Sequence, residues 1–327
     1  DVFMSVEKEV GTRPYHFEDF DNPSDLNKRV MTVCVMSGCC QRCKFCHCGE
    51  PRMKKTLNKW EIVGQVEFMI EQGILNGRHP DPKEAKEFRI LFTRMGEPFM
   101  NWKNVHEAIV ELKEKYPNLI VGLSTSITQA CRDTINRLLL DKLIAGSEKQ
   151  HVLDYSDIQI SMHSTSDIER QHIFGYGFYD KTSVASVMYL CNEIYNITNK
   201  AVGLNFILFK GYTYDFKSLL KDVDKEKIWV RLSPFNAVEN EHGLVGLLTE
   251  KDCEDKKPSS SQELIDIIKN LDESGIPYSY APAIDEEVKH NVACGQALVN
   301  FIERKSKIVE SVTIPKKSDW CQSLTNK

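Results

Sequence analysis

Hydrophobic positions along this chain follow two alternating rhythms. Short runs rich in β-branched and aliphatic residues fall at 30–36, 88–93, 119–124, 158–162, 202–208, 228–232 and 278–280, and each reads as a strand. Between them the apolar positions shift to helical spacing. A helix is predicted over 56–73, opened by a capping box of Asn58 and Glu61 and ended at Gly73. Val105, Ala108, Ile109 and Leu112 share one helical face, and Pro117 stops that helix. Ile135, Leu138 and Leu139 mark another helix, and Val184, Val187, Met188 and Cys191 a further one. Ser260 and Glu263 form a capping box for a late helix through Leu271, and 296–303 reads as a closing helix. Strands that alternate with helices predict a parallel sheet with right-handed crossovers, as a barrel or an open sheet. Chemistry in such barrels gathers at the carboxyl ends of the strands. Residues 1–29 have weak periodicity and read as an irregular arm, and 250–261 as an exposed polar loop.

Composition narrows the class without naming a function. The 327 residues are 41% hydrophobic and 27% charged, which suits a soluble globular protein. No apolar run approaches the ~20 residues of a membrane span. No basic-then-apolar leader is seen in the sequence. The net charge of −5 removes the usual electrostatic argument for a nucleic-acid partner without excluding one.

The cysteines carry the chemistry. Of 11, six lie in a short stretch: Cys34, Cys39, Cys40, Cys43, Cys46 and Cys48. Such clustering, with an odd total, argues against a secreted disulfide scaffold and for a metal site in a reducing cytoplasm, the expected place of work. Cys39, Cys43 and Cys46 form C-x3-C-x2-C, with Phe45 just before the last cysteine. Three thiolates can hold three irons of a [4Fe–4S] cube and leave the fourth iron open to a substrate-like ligand. Three rivals stand beside this reading. Cys43 to His47 matches the C-x-x-C-H haem pattern, which would leave Cys39, Cys40 and Cys48 without a role. Zinc would normally require a second knuckle, and none follows. An incidental set of thiols is the third. Cys40 and Cys48 have no role in the iron–sulfur reading.

In context the loop resembles the radical S-adenosylmethionine (SAM) superfamily, in which C-x3-C-x-aromatic-C holds the cube and SAM binds its open iron. A second mark is Gly96-Glu97-Pro98, just after the strand at 88–93. More specifically, the chain resembles the RlmN/Cfr family of radical SAM methyltransferases, which methylate adenine ring carbons in RNA. The resemblance runs in order through Met31–Cys34, the helix carrying Glu61–Val66, Thr93–Pro98, Leu123–Ser126, Ile160–His163, Pro234–Asn236 and Ala293–Gln296.

The resemblance implies a partial (β/α)6 radical SAM barrel, an α/β fold. A short arm at 1–29 would precede the core at 30–250. A C-terminal extension at 251–327 would carry Cys294-Gly295-Gln296. It implies two cofactors, a [4Fe–4S] cluster on Cys39, Cys43 and Cys46, and SAM. Glu97, with Gly96 and Pro98, would hold the SAM amino group. Ser124, Ser126, Ser161 and Asn236 would be further SAM contacts. Cys294 would first take a methyl group from SAM, and a radical made from a second SAM would activate it toward an sp2 carbon. Cys34 would resolve the adduct and close a disulfide with Cys294. A reductase such as flavodoxin or ferredoxin would supply electrons. The chain departs from the family in two places that bear on substrate. About 38 residues precede the first cluster cysteine, where the family has a longer helical region. The stretch 282–289 is acidic where the family has arginines. A small heteroaromatic or nucleotide-like substrate is therefore the expectation, with RNA adenine methylation, or a radical SAM reaction of another type, as the alternatives.

Overall fold

A computed structural model of the chain describes residues 7–8, 28–46, 48, 55–75, 81–85, 87–146, 149–174, 183–235 and 262–280. The strands are β1 (Glu7–Lys8), β2 (Lys28–Thr32), β3 (Met36–Ser37), β4 (Lys55–Thr56), β5 (Glu87–Phe92), β6 (Leu119–Thr125), β7 (Ser156–Ser161), β8 (Val202–Leu208), β9 (Ile228–Pro234) and β10 (Tyr278–Tyr280). The helices are α1 (Lys59–Leu75), α2 (Trp102–Lys115), α3 (Gln129–Ala145), α4 (Asp167–Phe174), α5 (Val184–Thr198), α6 (Phe216–Leu219) and α7 (Gln262–Ser274).

Eight strands form one sheet in the order β1-β2-β5-β6-β7-β8-β9-β10. All but β1 run parallel, and the sheet curls into a half-barrel. This is the expected partial barrel, with β10 added beside β9. The arm contributes an edge: Glu7 and Lys8 pair antiparallel with Met31 and Val30. β3 and β4 make a separate hairpin around the cysteine loop.

Alternation in β7 shows how the sheet is sided. Ser156, Ile158 and Ile160 are buried, while Asp157, Gln159 and Ser161 are half-buried. Ile158 and Ile160 join one continuous core with Ile135 and Leu139 of α3 and Val187 and Met188 of α5. Parallel register puts Gln159 beside Ser124 of β6 and Gly203 of β8, and Ser161 beside Asn205. Asn205 lies in turn beside Arg231 of β9. A polar strip therefore runs across the face opposite the helices. Toward the amino ends of the strands that face is filled by charge. Arg89 of β5 reaches past β6 to Asp157, at 2.8 Å, and also holds Glu87 at 3.0 Å. Toward the carboxyl ends the strip carries serines and asparagine, and the site lies there.

The predicted strand at 30–36 stops early, at Thr32. Both backbone polar groups of Cys34 are taken by a side chain, and the amides of Val35 and Met36 both turn to the Met95 carbonyl. The capping box of Asn58 and Glu61 forms as expected, with both bonds at 3.0 Å. The helix begins at Lys59 rather than 56, because Lys55 and Thr56 pair with the β3 strand. α4 is an addition to the expected elements. Its sequence, with charges at most turns, has no strong apolar stripe. Ser260, the closing helix at 296–303 and the loop at 250–261 lie outside the described residues.

Candidate radical SAM site

The cysteine loop leaves β3 through Gly38, whose φ of 81° only glycine adopts freely, and turns again at Arg42 with φ 47°. Cys39, Cys43 and Cys46 are half-buried, whereas Cys34 and Cys48 are buried. Cys34, Cys48 and Met95 pack together, and Cys39 and Cys46 close against them. The Met95 sulfur also accepts from the Gly38 amide at 3.2 Å, which ties the loop to the end of β5. Cys40 packs against the main core, its sulfur 4.0 Å from that of Met36 and its thiol hydrogen-bonded to Cys39. Of the two adjacent cysteines, Cys39 is therefore the one that faces the other thiols.

The electrostatics separate these thiols. A hydrogen bond from Cys40 holds Cys39 below the usual thiol range against the opposing effect of burial, with help from the amides of Gln41 and Gly96. Of Cys39 and Cys40, Cys39 is thus the readier thiolate. Cys40 is pushed up by the same bond. Burial pushes Cys34 up to about 11, opposed by the Met95 amide and the Arg94 charge. Cys48 is raised by its hydrogen bond to Cys46, then by burial and the neighbouring thiols. Among the described residues no three donors converge on the single point one metal ion needs. A cube takes each thiolate on a separate iron, so the three half-buried loop thiols fit it as a donor set.

Gln65 of α1 brackets Cys34. Its amide oxygen accepts from the Cys34 N–H at 3.0 Å, and its amide nitrogen donates to the Cys34 carbonyl at 3.0 Å. Asn101 fastens the neighbouring chain, donating to the carbonyls of Val35 at 2.9 Å and Leu57 at 2.7 Å.

Glu97, only 3% exposed, lies at the carboxyl end of β5. Its side chain caps the 3-10 turn Pro98–Asn101, accepting from Phe99 N–H. It also accepts from the Ser126 amide at 3.0 Å and the Ser126 hydroxyl at 3.4 Å. Burial raises its pKa despite these bonds. Glu97 and Ser126 are thus brought together. Ser124 and Ser161 lie half-buried on the polar strip, two and three strands from β2. Asn236 and Cys294 lie outside the described residues. Gly96 has φ 103°, and an added Cβ would come within 2.7 Å of Met36 Cβ and 2.8 Å of Val35 Cγ2. Gly96→Ala is expected to destabilise the chain by about 3 kcal/mol or more, since strain and collision add. Chemical denaturation reads this directly, as a lower midpoint at unchanged slope.

His163 and Arg170 carry no role in the reading of the sequence, although His163 falls within a matched segment. His163 is buried with φ 59°, and its Nδ1 accepts from the Ile207 amide at 3.1 Å. Burial, with Arg170 nearby, lowers its pKa to about 3, so it stays neutral. Nothing in the charged segment around Arg170 marks it as a buried side chain.

No family model matches the chain. Curated relatives do. A probable dual-specificity RNA methyltransferase RlmN of Trichodesmium erythraeum is 28% identical over 275 residues, covering 81% of this chain and 67% of that protein. Its counterpart in Dictyoglomus turgidum is 23% identical over 88% of this chain and 73% of its own length. The chain resembles the RlmN/Cfr family of radical SAM methyltransferases. The RlmN of Parvibaculum lavamentivorans, 27% identical, matches over 63% of this chain and 50% of its own, so the RlmN/Cfr-like chain spans about half to three quarters of these relatives. A solved radical SAM methyltransferase from Sphaerobacter thermophilus shares the fold, with a TM-score of 0.58, 20% identity and coverage of 82% of this chain and 70% of its own. With the RlmN/Cfr resemblance come SAM-dependent C-methyl transfer and two cofactors, a [4Fe–4S] cluster and SAM. Among the described residues no helix is long and apolar enough to cross a membrane.

Proposed function

We propose that this chain methylates an sp2 carbon of an adenine-type base in RNA through a methyl-cysteine at Cys294. The observation that carries the reading is the meeting of Cys39, Cys46 and Cys34 in one thiol cluster at the carboxyl end of β2. Buried Glu97 stands at the end of the next strand. RNA is preferred over a small heteroaromatic because the relatives named above are RNA methyltransferases. The net charge of −5 and the acidic stretch at 282–289 favour the small substrate as the second reading.

In this reading Cys39, Cys43 and Cys46 hold the cluster. When bound, the cluster supplies the electron that cleaves SAM. Glu97 receives the SAM ammonium, since a buried carboxylate with its backbone bonds already made is fixed in place for a cation. Gly96 and Pro98 set the turn that aims it. Ser126, Ser124 and Ser161 are polar contacts at the ends of β6 and β7, and Asn236 is a further SAM contact. Cys294 is the nucleophile toward the first SAM methyl group, because a thiolate displaces at a sulfonium methyl where an electron-poor ring carbon does not. Cys34, kept as a neutral thiol by burial, must lose its proton before it takes one from the substrate adduct. A flavodoxin- or ferredoxin-type reductase is the expected electron source, and 251–327 the expected carrier of the Cys294 segment.

The test is anaerobic. The reconstituted protein is incubated with methyl-labelled SAM, and cysteine modification is mapped by mass spectrometry, with Cys294→Ala as control. Label on Cys294 that is lost in the variant supports the methyl-cysteine route, and an intact cluster with unlabelled Cys294 sinks it. Label then transferred to an RNA transcript, but not to free adenine nucleotides, decides for RNA, and the reverse decides for the small substrate.

A further inference from the structure

The far side of the cysteine loop is gripped by the end of β7 and by α4, a helix that no step above uses. The Lys44 amide donates to the Ile173 carbonyl at 2.9 Å. This carbonyl is in the last turn of α4. The next residue, Phe45, puts its ring edge-on to His163 with centroids 4.7 Å apart, and 6.1 Å from Phe174. The loop therefore sits in a socket made by the end of β7, the end of α4 and Phe209 just beyond β8, whose ring is 6.1 Å from that of Phe45.

Arg170 holds both walls. The β7 chain leaves its strand at Met162 and His163, whose amides both turn to the Asn205 carbonyl, at 2.8 and 3.2 Å. His163 then takes its left-handed backbone. Arg170 Nη1 collects the carbonyls beside that kink, donating to Met162 at 2.8 Å and Ser161 at 3.2 Å. The guanidinium also lies over the Phe174 ring, 5.5 Å from its centroid. Among the described residues its Nε and Nη2 have no hydrogen-bond partner, although the residue is 1% exposed. A buried charge with unmet donors costs stability, so its presence calls for a gain elsewhere, and the two walls it joins are two of the three that touch Phe45, Phe209 being the third.

We infer that α4 is a clamp on the cysteine loop and that Arg170 is its positioning residue, acting through the β7 end and Phe174 on Phe45 and so on Cys46. The contacts stand by themselves; only their consequence for a cluster rests on the function proposed above.

The test has two arms. In the cluster-free full chain, trypsin cleavage after exposed Arg42 and half-exposed Lys44 measures how tightly the loop is held. Arg170→Met and Phe45→Leu are each expected to speed that cleavage about tenfold or more, through local opening rather than global unfolding. The double variant is expected to be no faster than the faster single, because both act on one contact. A wild-type rate in Arg170→Met, or fully additive effects, overturns the inference. If Arg170→Met does not fold, Phe174→Leu keeps the carbonyl bonds and removes one wall. The same acceleration is expected there, and a wild-type rate again overturns the clamp. In the reconstituted protein, the electron paramagnetic resonance spectrum of the reduced cluster is expected to broaden in Arg170→Met at equal iron content. An unaltered spectrum overturns the link to Cys46. A wild-type chain that takes up no iron defeats the proposed function instead, and the trypsin rates still decide the clamp.

Discussion

Alanine at Cys39, Cys43 or Cys46 should reduce bound iron from about four per chain to near zero, while Cys40→Ala keeps it. The contrast matters because Cys39 and Cys40 are adjacent and either could begin a cysteine motif with Cys43 and Cys46. The fold separates them. Cys39 packs with Cys34, Cys46 and Cys48, and half-buried Cys40 lies against the main core beside Met36. A thiolate ligand must also ionise, and only Cys39 of the two is pushed that way. Iron and sulfide assays after anaerobic reconstitution, with circular dichroism to show that each variant folds, give the answer. Full iron in Cys39→Ala with none in Cys40→Ala would reverse the assignment. The loss of activity should follow the iron, by a factor of about a thousand or more, because ordinary side chains do not replace a cluster as an electron source.

Glu97→Gln should weaken SAM binding about 100-fold near neutral pH, a change of ~2.7 kcal/mol. The carboxylate is buried and already bonded to Ser126 and Phe99, so it cannot move to solvent when its charge is unmatched. Burial therefore raises its pKa above the ordinary 4.5. The folded chain then keeps a proton that the unfolded chain has released, and stability falls as pH rises from about 4.5 through the raised value. Melting of the ligand-free wild type across this window should show the fall, and Glu97→Gln should flatten it. SAM is expected to restore stability at the upper end, because its ammonium pairs only with the ionised form. Calorimetric titration with SAM at two pH values checks the binding half. Equal affinity in wild type and variant would remove Glu97 from the amino-group role.

Much of this was legible in the chain because each strand signal was local. Val202–Leu208 and Tyr278–Tyr280 form as read, since alternation or aromatic content within a few residues was enough. The capping box at Asn58 formed because both partners lie within one turn. The misses came from long-range bonds. β2 ends at Thr32 because Gln65, 31 residues from Cys34, takes the backbone groups a strand neighbour would have used. The edge formed by Glu7 and Lys8 depends on pairing across the arm. α4 was hidden because its buried side includes Arg170, a residue whose type signals exposure. At the site the motif residues Glu97 and Ser126 were readable and do meet. The bracket by Gln65 was not, since a glutamine on a helix gives no sign of what its amide will reach.

That bracket has a consequence for how Cys34 can work. With its N–H and its carbonyl both bound to one rigid side chain, the backbone of Cys34 is a fixed post. A thiol that changes partners from this post can do so only by swivelling about its own side-chain bond. Side-chain rotation is a fast local motion, with no loop to rebuild on each cycle. Any slow step in exchanging partners must then come from the group that approaches Cys34.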